Sequence, residues 1–521
     1  MNPILVLGAG TMGAGIACVA AAAGYPVTLV DPDPATRERA GALISRDAER
    51  LGKGEAASHV SITSTLPTSS DAWLAIEAIP ENLDAKRGAF ASLSSILGDR
   101  AILATNTSAL CVAEIAAYVP APQRVAGLHF FNPATRMQLV EVVRTAQTDD
   151  ETVETLLAFV AALGKTPVLA ADTPGFIVNR VARPFYLQSM HALERGVASP
   201  EELDSLARGL GFRMGPFELM DLIGLDVNLA TSQSMFDRTK AARLEPVQMQ
   251  RDLVDRGRLG RKTDAGFYEY AAGNPAHDDT EPESTPRNED EVVAILGFGT
   301  AALEFAESLQ GAYANVTAVP NDELLEELPA DVTIVIDTGD GSSDRTETIR
   351  RLDATLPGEC VIFVDAYATD LTVLARRLTH PERIVGYGLL ASLERQRCIE
   401  VVDAETTGDD ALALAEEFFE SIGKRSILVE NAPGLFLGRT VGSIVNEAVY
   451  AVDEGVATAE DVDLAMQLGT NYPMGPIAWG REIGGARIAR ILRRLAEAED
   501  PAFAPHRAMW ILDAQEEPVD A

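Results

Sequence analysis

A histidine and a glutamate stand in two neighbouring apolar segments. His129 lies within "RVAGLHFF", and Glu141 lies within "LVEVV". Both segments have the composition of buried strands, and a carboxylate buried in a strand needs a polar partner, which a nearby imidazole would supply. An imidazole paired with a carboxylate is a good general base near neutral pH. Asn132 and the chain-breaking Pro133 follow, which predicts that His129 lies near the end of its strand, where catalytic groups of open α/β sheets gather.

The chain contains a second version of this region that lacks the histidine. The two stretches, which align without a gap at an offset of 259, are "RVAGLHFFNPATRMQLVEVV" at 124–143 and "RIVGYGLLASLERQRCIEVV" at 383–402. Gly388 stands at the position of His129, so the fold does not require an imidazole there. This favours a chemical role over that of a core histidine. Glu400 matches Glu141, however, and this survival leaves open a structural role for Glu141.

A glycine-rich turn near the start of the chain has the pattern of a dinucleotide site. Residues 8–13 read "GAGTMG" between an apolar run and a helix of small residues, and Asp31 ends the next apolar run. The glycines permit a tight turn and close approach of the backbone to a pyrophosphate, which a helix N-terminus attracts. Asp31 can bond both ribose hydroxyls and would repel a 2′-phosphate, which favours NAD over NADP; the alternative is a turn needed only for packing. The predicted loop contacts are Gly8, Gly10, Thr11, Met12 and Gly13.

The second copy keeps only part of this turn. Residues 297–302 read "GFGTAA", and at the offset of 289 the position of Asp31 is taken by Pro320. Proline offers no carboxylate, so we expect no NAD in the second copy. The offset falls from 289 to 259 further along, which places a deletion of about 30 residues opposite residues 31–71 of the first copy.

Strand and helix patterns alternate over the first third of the chain. The apolar runs that indicate strands are "PILVLGAG", "PVTLVD", "AWLAIEAI", "AILATN", "RVAGLHFF" and "LVEVV". Alternation with helices predicts an α/β fold with a Rossmann-type, doubly wound parallel sheet. From Pro174 the pattern is helical, and "SPEE" at 199–202 predicts a capping box. The fold class is therefore this α/β sheet followed by an all-α domain, with the two-domain unit duplicated in tandem.

Domain boundaries follow from the repeats and from one polar stretch. Residues 271–290, "AAGNPAHDDTEPESTPRNED", have the composition of an interdomain linker. The predicted segments are an NAD-binding domain at 1–172, a helical domain at 173–270, the linker at 271–290, a degenerate Rossmann-like domain at 291–430 and a second helical domain at 431–521.

The composition of the chain argues against several classes of binding partner. The net charge of −35 argues against nucleic acid and anionic membranes, and a polyanionic substrate would need a local basic patch. No apolar run is long enough to span a membrane, and the N-terminus shows no targeting segment. The four cysteines form no disulfide framework, which favours the cytosol. We expect no metal site.

The first 270 residues resemble the L-3-hydroxyacyl-CoA dehydrogenase family, with 3-hydroxybutyryl-CoA dehydrogenases as the nearest kind. The blocks that carry the resemblance, in the family's order, are "GAGTMGAGIA", "EAIPENLDAK", "NTSAL", "GLHFFNP", "LVEVV", "DTPGFIVNR", "GPFELMDLIGLD" and "GRKTDAGFYEY". The resemblance implies that His129 is the general base for the 3-hydroxyl proton and that Glu141 orients the imidazole. It also implies that Ser108 hydrogen-bonds the substrate oxygen and that Asn179 reaches the substrate. The further implied cofactor contacts are Asn132, Glu81, Lys86 and Lys262.

Each implied role has an alternative. Ser108 could cap a helix, and Asn179 could bond only backbone. Glu81 and Lys86 could form an exposed ion pair. In the family, the stretch after Asp31 forms a helical excursion that contacts coenzyme A. The basic residues there, which could equally lie on a solvated helix face, are Arg46, Arg50 and Lys53.

The resemblance implies reversible oxidation of a 3-hydroxyacyl-CoA in fatty-acid degradation (β-oxidation) or aromatic-acid degradation. The default substrate is 3-hydroxybutyryl-CoA. The alternative is 3-hydroxyadipyl-CoA of a phenylacetate-type pathway, whose second carboxylate Arg136 or Arg183 could bind. A dehydrogenase of a free hydroxy acid and a non-catalytic binding protein remain as other classes.

The second copy has lost the polar residues of the site one by one. In the resembling family the helical domains pair between subunits, so we expect residues 431–521 to pack on residues 173–270 as an intramolecular pseudo-dimer. A monomer and a further homodimer both fit this expectation. The stretch "DTGDGSSD" at 337–344 could bind a regulatory ligand, although an acidic surface turn is the simpler interpretation.

Overall fold

The computed structural model of the chain describes residues 2–270, 273, 291–339, 345–367 and 369–513. The predicted linker therefore lies outside the described residues apart from Gly273, and so does most of the acidic stretch at 337–344.

The first copy forms an eight-stranded sheet flanked by helices. Its strands are β1 Ile4–Leu7, β2 Val27–Val30, β3 Val60–Thr63, β4 Leu74–Glu77, β5 Ile102–Thr105, β6 Val125–Phe130, β7 Leu139–Arg144 and β8 Thr166–Ala171. Its helices are α1 Thr11–Ala22, α2 Pro34–Arg50, α3 Leu83–Ile96, α4 Val112–Ala116 and α5 Asp150–Ala162. The strand order is β3-β2-β1-β4-β5-β6-β7-β8, which reverses between β1 and β4. Ligands of such sheets bind at this reversal, beyond the carboxyl ends of the strands.

One pair of strands differs from the predicted parallel sheet. β6 and β7 are antiparallel, with His129 directly opposite Glu141. The connection at 131–138 contains no helix and is too short for the crossover that a parallel pair requires. β8 is parallel to β7, so the last two strands run against the other six. The predicted fold class is confirmed, although the sequence analysis named neither β3 nor β8.

Helices follow the first sheet, as predicted. They are α6 Val178–Val181, α7 Arg183–Glu194, α8 Pro200–Gly209, α9 Pro216–Ile223, α10 Leu225–Thr239 and α11 Gln248–Asp255. The capping box at the start of α8 is confirmed. The hydroxyl of Ser199 accepts the backbone N–H of Glu202, and the Glu202 carboxylate accepts that of Ser199 at 2.8 Å.

The second copy repeats this plan with one strand fewer. Its strands are β9 Val292–Leu296, β10 Asn315–Val319, β11 Ile334–Asp337, β12 Val361–Asp365, β13 Ile384–Gly388, β14 Cys398–Asp403 and β15 Arg425–Glu430. Its helices are α12 Thr300–Leu309, α13 Thr346–Thr355, α14 Leu371–Ala375, α15 Asp409–Ser421, α16 Leu437–Asp453, α17 Ala459–Thr470, α18 Pro476–Ile483 and α19 Gly485–Ala498. The strand order is β10-β9-β11-β12-β13-β14-β15. No described element of this copy corresponds to α2 or β3, in agreement with the predicted deletion.

The chain divides into two compact units that do not follow sequence order. Unit 1 comprises residues 1–181, 237–239 and 451–471, and unit 2 comprises residues 182–236, 240–450 and 472–521. In unit 1, α17 packs against β7 and β8, and Ala171 donates its N–H to the carbonyl of Val456 at 2.7 Å. In unit 2, α8 packs against β14, and Glu430 donates to Val197 at 2.8 Å. Each sheet is thus covered by a helix from the other copy.

Each sheet packs its helices over an apolar core. In the first, Ile16 of α1 and Leu29 and Ile76 of the strands are fully buried. Such side chains each contribute about 1.5–3 kcal/mol to the free energy of unfolding. No helix in the described part of the chain has the length and apolar character needed to cross a membrane. Within the same residues, no group of three or more His, Cys, Asp or Glu side chains is arranged to hold a metal ion.

Candidate active site

The glycine loop between β1 and α1 has the shape that a dinucleotide pyrophosphate requires. Gly8 has φ of +99°, and a side chain there would come within 2.6 Å of the carbonyl oxygen of Ala78. A side chain on Gly13 would overlap the carbonyl oxygen of Gly8. A methyl group on Gly10, in contrast, would meet no atom within 4 Å. Packing therefore explains Gly8 and Gly13, whereas Gly10 leaves open space beside the N-terminus of α1.

Replacing Gly10 with alanine is expected to weaken NADH binding about tenfold or more, because the methyl group would stand where the pyrophosphate approaches the backbone. The melting temperature should stay unchanged, since nothing in the protein occupies that space. Fluorescence titration with NADH measures the affinity. Gly13→Ala is the matched comparison, and it should lower the melting temperature. An unchanged NADH affinity in Gly10→Ala would remove the loop from the cofactor site.

Asp31 follows β2 and is held beside this loop. Its Oδ2 atom accepts the N–H of Ala9 at 2.8 Å, and its Oδ1 atom accepts that of Asp33 at 3.0 Å. The half-buried carboxylate keeps lone pairs for ribose hydroxyls. Thr11 and Met12 open α1 at the same edge, with Thr11 exposed. The residues present therefore fit the adenosine and pyrophosphate of NAD.

His129 and Glu141 form a buried hydrogen-bonded pair across β6 and β7. The Nδ1 atom of His129 lies 2.6 Å from the Oε2 atom of Glu141. The other oxygen, Oε1, accepts the backbone N–H groups of Ile177 and Val178, both at 3.0 Å. A carboxylate on Nδ1 selects the tautomer with its proton there and leaves Nε2 as an acceptor. No described residue hydrogen-bonds Nε2, so this atom can take a proton from a ligand.

Two aromatic rings and a tight turn support this pair. The ring centroids of Phe131 and Phe176 lie 4.5 and 5.9 Å from that of His129. Phe176 has φ of +47°, which is uncommon for a residue other than glycine and indicates a backbone constrained by its surroundings. The turn aims the amides of Ile177 and Val178 at Glu141. The motif "DTPGFIVNR" predicts Asn179 as a site residue, but no local pattern in it predicts that its amides bind Glu141.

Ser108 and Asn179 lie together in unit 1. The side-chain amide of Asn179 donates to the carbonyl oxygen of Ser108 at 3.4 Å. Ser108 does not cap α4, because the N–H groups of Val112 and Ala113 are bound by Asp172 at 2.9 and 2.8 Å. Among the described residues the Ser108 hydroxyl makes no hydrogen bond of its own. It is therefore available to a ligand.

Glu81 and Lys86 belong to a cluster around the buried Glu77, in which Lys86 is buried and Glu81 is exposed. No role for Glu77 was predicted from the sequence. The ammonium of Lys86 lies 2.7 Å from Glu77 and 3.2 Å from Glu81. Thr105 donates to the second oxygen of Glu77 at 2.6 Å. Lys86 is 1% exposed and its charge is neutralised by Glu77 inside the protein, so only Glu81, at 37%, is exposed in the ion pair considered above. Glu77 lies within the apolar run "AWLAIEAI", the same signal that identified Glu141.

Glu81 links this cluster to the loop that carries Ser108. Its carboxylate accepts the hydroxyl of Thr107 and the backbone N–H groups of Ser108 and Ala109, the last two at 3.1 and 3.0 Å. Burial raises the pKa of Glu81, but the Thr107 hydrogen bond and the Lys86 charge outweigh burial, and the pKa lies below its usual value. Glu81 is therefore a fixed anion beside Ser108.

The acid–base cluster recurs in the second copy. Asp337 ends β11 as Glu77 ends β4, and Arg345 lies 259 residues after Lys86. Arg345 is 2.7 Å from Asp337 and 2.8 Å from Asp322. Since the second copy lacks the carboxylate for NAD, the cluster serves the fold in both copies. A contact between Lys86 and the cofactor stays a prediction.

Three arginines surround one cavity on the first copy. The cavity has a volume of about 610 Å³ and is lined by Arg46, Asp47, Arg50, Leu51, Pro133, Thr135 and Arg136. Asp47 lies 3.0 Å from Arg46 and 3.5 Å from Arg50, whose side chains are still more than half exposed. Three cations against one carboxylate form a local basic patch on the acidic chain. Arg136, considered for the acyl end of the substrate, lines this cavity with Arg46 and Arg50, and its contact with a substrate stays a prediction.

Two further predicted residues lie near this cavity. Asn132 is exposed directly after β6, one residue before Pro133. Lys53 is also exposed, but it does not line the cavity. The proximity of Asn132 to a nicotinamide and the contact of Lys53 with coenzyme A stay predictions.

Lys262 and Arg183 belong to unit 2. Lys262 pairs with Asp226. Arg183 is buried over the ring of Tyr186, at 4.7 Å, and donates to the hydroxyl of Ser232 at 3.2 Å. Burial lowers the pKa of the Arg183 guanidinium. The predicted ligand contacts of both residues stay predictions.

In the second copy one tyrosine fills the space of the histidine site. At the offset of 259 the counterparts of His129, Ser108 and Asn179 are Gly388, Tyr367 and Gly438. The Tyr367 hydroxyl hydrogen-bonds Glu400. A methyl group on Gly388 would lie 2.8 Å from that hydroxyl, and one on Gly438 would lie 2.7 Å from the ring. The three substitutions therefore depend on one another, and the Tyr367 side chain fills the space that a substrate would need.

The survival of Glu400 now has a structural explanation. Its Oε1 atom accepts the N–H groups of Phe436 and Leu437 at 2.7 and 3.2 Å, as Glu141 accepts those of Ile177 and Val178. One carboxylate oxygen thus serves the fold in both copies. The other faces an imidazole in the first copy and a phenol in the second.

A base with a free Nε2 atom lies in the same sheet as a dinucleotide cradle that selects against NADP. This is the arrangement of an NAD-dependent oxidoreductase acting on a CH–OH group, in which a base takes the hydroxyl proton. The chain belongs to the 3-hydroxyacyl-CoA dehydrogenase family. The model of the family's NAD-binding domain matches residues 3–173 and 341–432, and that of its C-terminal domain matches residues 175–270 and 434–517.

Similar proteins share either the whole chain or its first half. The 3-hydroxyadipyl-CoA dehydrogenase of Escherichia coli K12 is 35% identical over 506 residues, which cover 95% of this chain and 94% of that protein. Human mitochondrial hydroxyacyl-coenzyme A dehydrogenase is 39% identical over 284 residues, 51% of this chain and 90% of the human protein. The crystal structure of a 3-hydroxybutyryl-CoA dehydrogenase from E. coli K12 superposes with a TM-score of 0.78 at 32% identity, covering 98% of this chain and 97% of that one.

Proposed function

We propose that the first copy oxidises L-3-hydroxyacyl-CoA thioesters reversibly to 3-oxoacyl-CoA thioesters and that the second copy has no active site. The observation that carries this proposal is the His129–Glu141 pair, whose geometry leaves Nε2 as the proton acceptor. The Tyr367 plug supports a single site per chain.

His129 acts as the general base in this proposal. Its Nε2 atom takes the proton of the 3-hydroxyl group, and the negative charge of Glu141 stabilises the imidazolium that forms. NAD held at the glycine loop and Asp31 would supply the hydride acceptor for C3. In the reverse direction the same Nε2 atom returns the proton to the 3-oxo group.

Ser108 and Asn179 orient the substrate. The Ser108 hydroxyl is unoccupied by the protein and donates to the substrate oxygen, which holds the reacting carbon in place. Asn179, whose amide already reaches the Ser108 backbone, presents polar atoms to the same oxygen. Glu81 supports both residues through the Ser108 backbone N–H.

Coenzyme A binds at the arginine-lined cavity. Phosphate groups prefer arginine, whose guanidinium offers several donors. The double variant Arg46→Ala/Arg50→Ala is expected to raise the KM for acetoacetyl-CoA about tenfold with little change in kcat, because the contacts lie away from the reacting carbon. Acetoacetyl-pantetheine, which lacks the nucleotide, should show no such increase. Arg39→Ala, on the exposed face of α2 outside the cavity lining, is the control. Equal losses with both substrates would contradict the assignment.

Two acyl-CoA substrates are proposed. 3-Hydroxybutyryl-CoA is the default, and 3-hydroxyadipyl-CoA is the second candidate. Relatives of both names match nearly the whole chain, the 3-hydroxyadipyl-CoA dehydrogenase over 95% of it and the 3-hydroxybutyryl-CoA dehydrogenase structure over 98%, so both substrates stay candidates. These substrates place the enzyme in fatty-acid or aromatic-acid degradation.

The function is tested by following NADH absorbance as the protein meets acetoacetyl-CoA, 3-oxoadipyl-CoA and free acetoacetate. Turnover of a thioester with NADH, and not with NADPH or the free acid, is the expected result. The ratio of kcat/KM for the two thioesters decides between the two acyl groups. Turnover of the free acid alone would indicate a hydroxy-acid dehydrogenase on the same scaffold.

We also propose that the chain is an intramolecular pseudo-dimer located in the cytosol. Contacts between the helical domains of the two copies within unit 2 support the pairing. Phe212 lies 5.0 Å from Tyr472 and 5.6 Å from Trp479, between ring centroids, and Arg243 pairs with Glu447 at 2.6 Å. The four free cysteines support a reducing compartment. Light scattering of the purified protein measures whether pseudo-dimers associate further.

A further inference from the structure

The short helix that carries Asn179 is held by residues of the second copy. α6 has four residues, too few for a helix to be stable without neighbours. Arg180, buried with 5% of its side chain exposed, lies 2.7 Å from the carboxylate of Glu454. Glu454 stands between α16 and α17, two residues before Val456, which accepts the Ala171 N–H. All of these residues belong to unit 1.

Helix α17 also packs against Val178, whose backbone amide donates a hydrogen bond to the Glu141 carboxylate. A methyl group on Gly469 would come within 2.9 Å of both Leu139 and Val178. Val178 donates its N–H to Glu141, and Leu139 begins the strand that carries Glu141. The second copy therefore contacts both the strand of Glu141 and the helix of Asn179.

The equivalent positions in unit 2 carry a different arrangement of charges. At the offset of 259, Arg439 corresponds to Arg180, but Arg195 corresponds to Glu454. There, Glu499 pairs with both arginines, at 2.6 Å from Arg439 and 2.9 Å from Arg195. The duplicated positions have diverged so that an acid of the second copy binds the arginine next to Asn179.

We propose that Glu454 is a positioning residue for the active site of the first copy. It fixes Arg180 and thereby holds α6, so that Asn179 faces Ser108 and the Val178 amide stays on Glu141. The second copy thus completes the site although it has no chemistry of its own. This inference deepens the proposed function and rests on the roles proposed there for Asn179 and Glu141.

The test compares Glu454→Gln with Arg195→Gln, its counterpart in the fold. The two side chains are similarly exposed, at 47% and 44%, and each is half of an ion pair. Glu454→Gln is expected to lower kcat for acetoacetyl-CoA about five- to tenfold, because a small displacement of an orienting group slows the chemical step. NADH affinity should be unchanged, Glu454→Asp should retain about half of kcat or more, and Arg195→Gln should keep the wild-type kcat.

Amide hydrogen exchange provides a readout that does not depend on activity. The amides of Ile177 and Val178 should exchange faster in Glu454→Gln and at the wild-type rate in Arg195→Gln. Wild-type kcat in Glu454→Gln, equal losses in both variants, or unchanged exchange at these amides would overturn the proposal. Inactivity of the wild-type protein towards acetoacetyl-CoA would instead contradict the proposed function, while the exchange rates would still decide whether Glu454 holds α6.

Discussion

Replacing His129 with glutamine is expected to lower kcat about a thousandfold, within the range that general base catalysis contributes. Glutamine can still hydrogen-bond Glu141, but it offers no atom that takes a proton at neutral pH. The cofactor loop lies at β1 and α1 and does not include this side chain, so NADH affinity should remain at the wild-type value. Steady-state kinetics with acetoacetyl-CoA and fluorescence titration with NADH measure the two quantities.

The second copy makes this a sharp experiment. If the second copy had its own site, the His129 variant would keep half of the activity. Tyr367 fills the corresponding space, so no such remainder is expected. A kcat within about threefold of wild type would show that another group takes the proton, since loss of a true base costs at least about a hundredfold.

The sequence alone predicts the His129–Glu141 pair in kind but not in geometry. The buried carboxylate in "LVEVV" required a polar partner, and that argument was sound. The pair became a directly facing one because β6 and β7 are antiparallel. The eight-residue connection between them carries this information, because it is too short for the crossover of a parallel pair.

Other features depend on packing that no local pattern records. The losses at Gly388, Tyr367 and Gly438 were visible one by one, but only their positions in space show that a single tyrosine fills one volume. The packing of each sheet against a helix of the other copy also cannot be predicted from a local sequence pattern. The duplicated apolar faces are alike, so either copy of the helix could satisfy either sheet, and charges such as Glu454 and Arg195 distinguish them only once the partners are known.

Glu141 and Glu400 form a natural matched pair of variants. In Glu141→Gln the side-chain oxygen can still accept the N–H groups of Ile177 and Val178, so the amide nitrogen must face His129. That nitrogen donates to Nδ1 and moves the imidazole proton to Nε2, where the base is needed. We therefore expect kcat to fall about 10²–10⁴-fold, as in His129→Gln. Glu400→Gln should leave kcat unchanged because Tyr367 can accept the amide N–H.

The pH dependence of the melting temperature tests the structural role of Glu400 separately from catalysis. Burial raises the pKa of Glu400 to about 7 from its ordinary value of 4.5. Between pH 4.5 and about 7, Glu400 is protonated in the folded state and ionised in the unfolded state. Its contribution to the free energy of unfolding is therefore fully present below pH 4.5 and declines as the pH rises through about 7. The decline amounts to about 3 kcal/mol. Glutamine resembles the protonated acid and does not titrate, so Glu400→Gln should match the wild-type melting temperature near pH 5 and exceed it near pH 8. If Glu400→Gln instead lowered kcat, the second carboxylate would reach the chemistry of the first copy, and the division between an active copy and a supporting copy would be wrong.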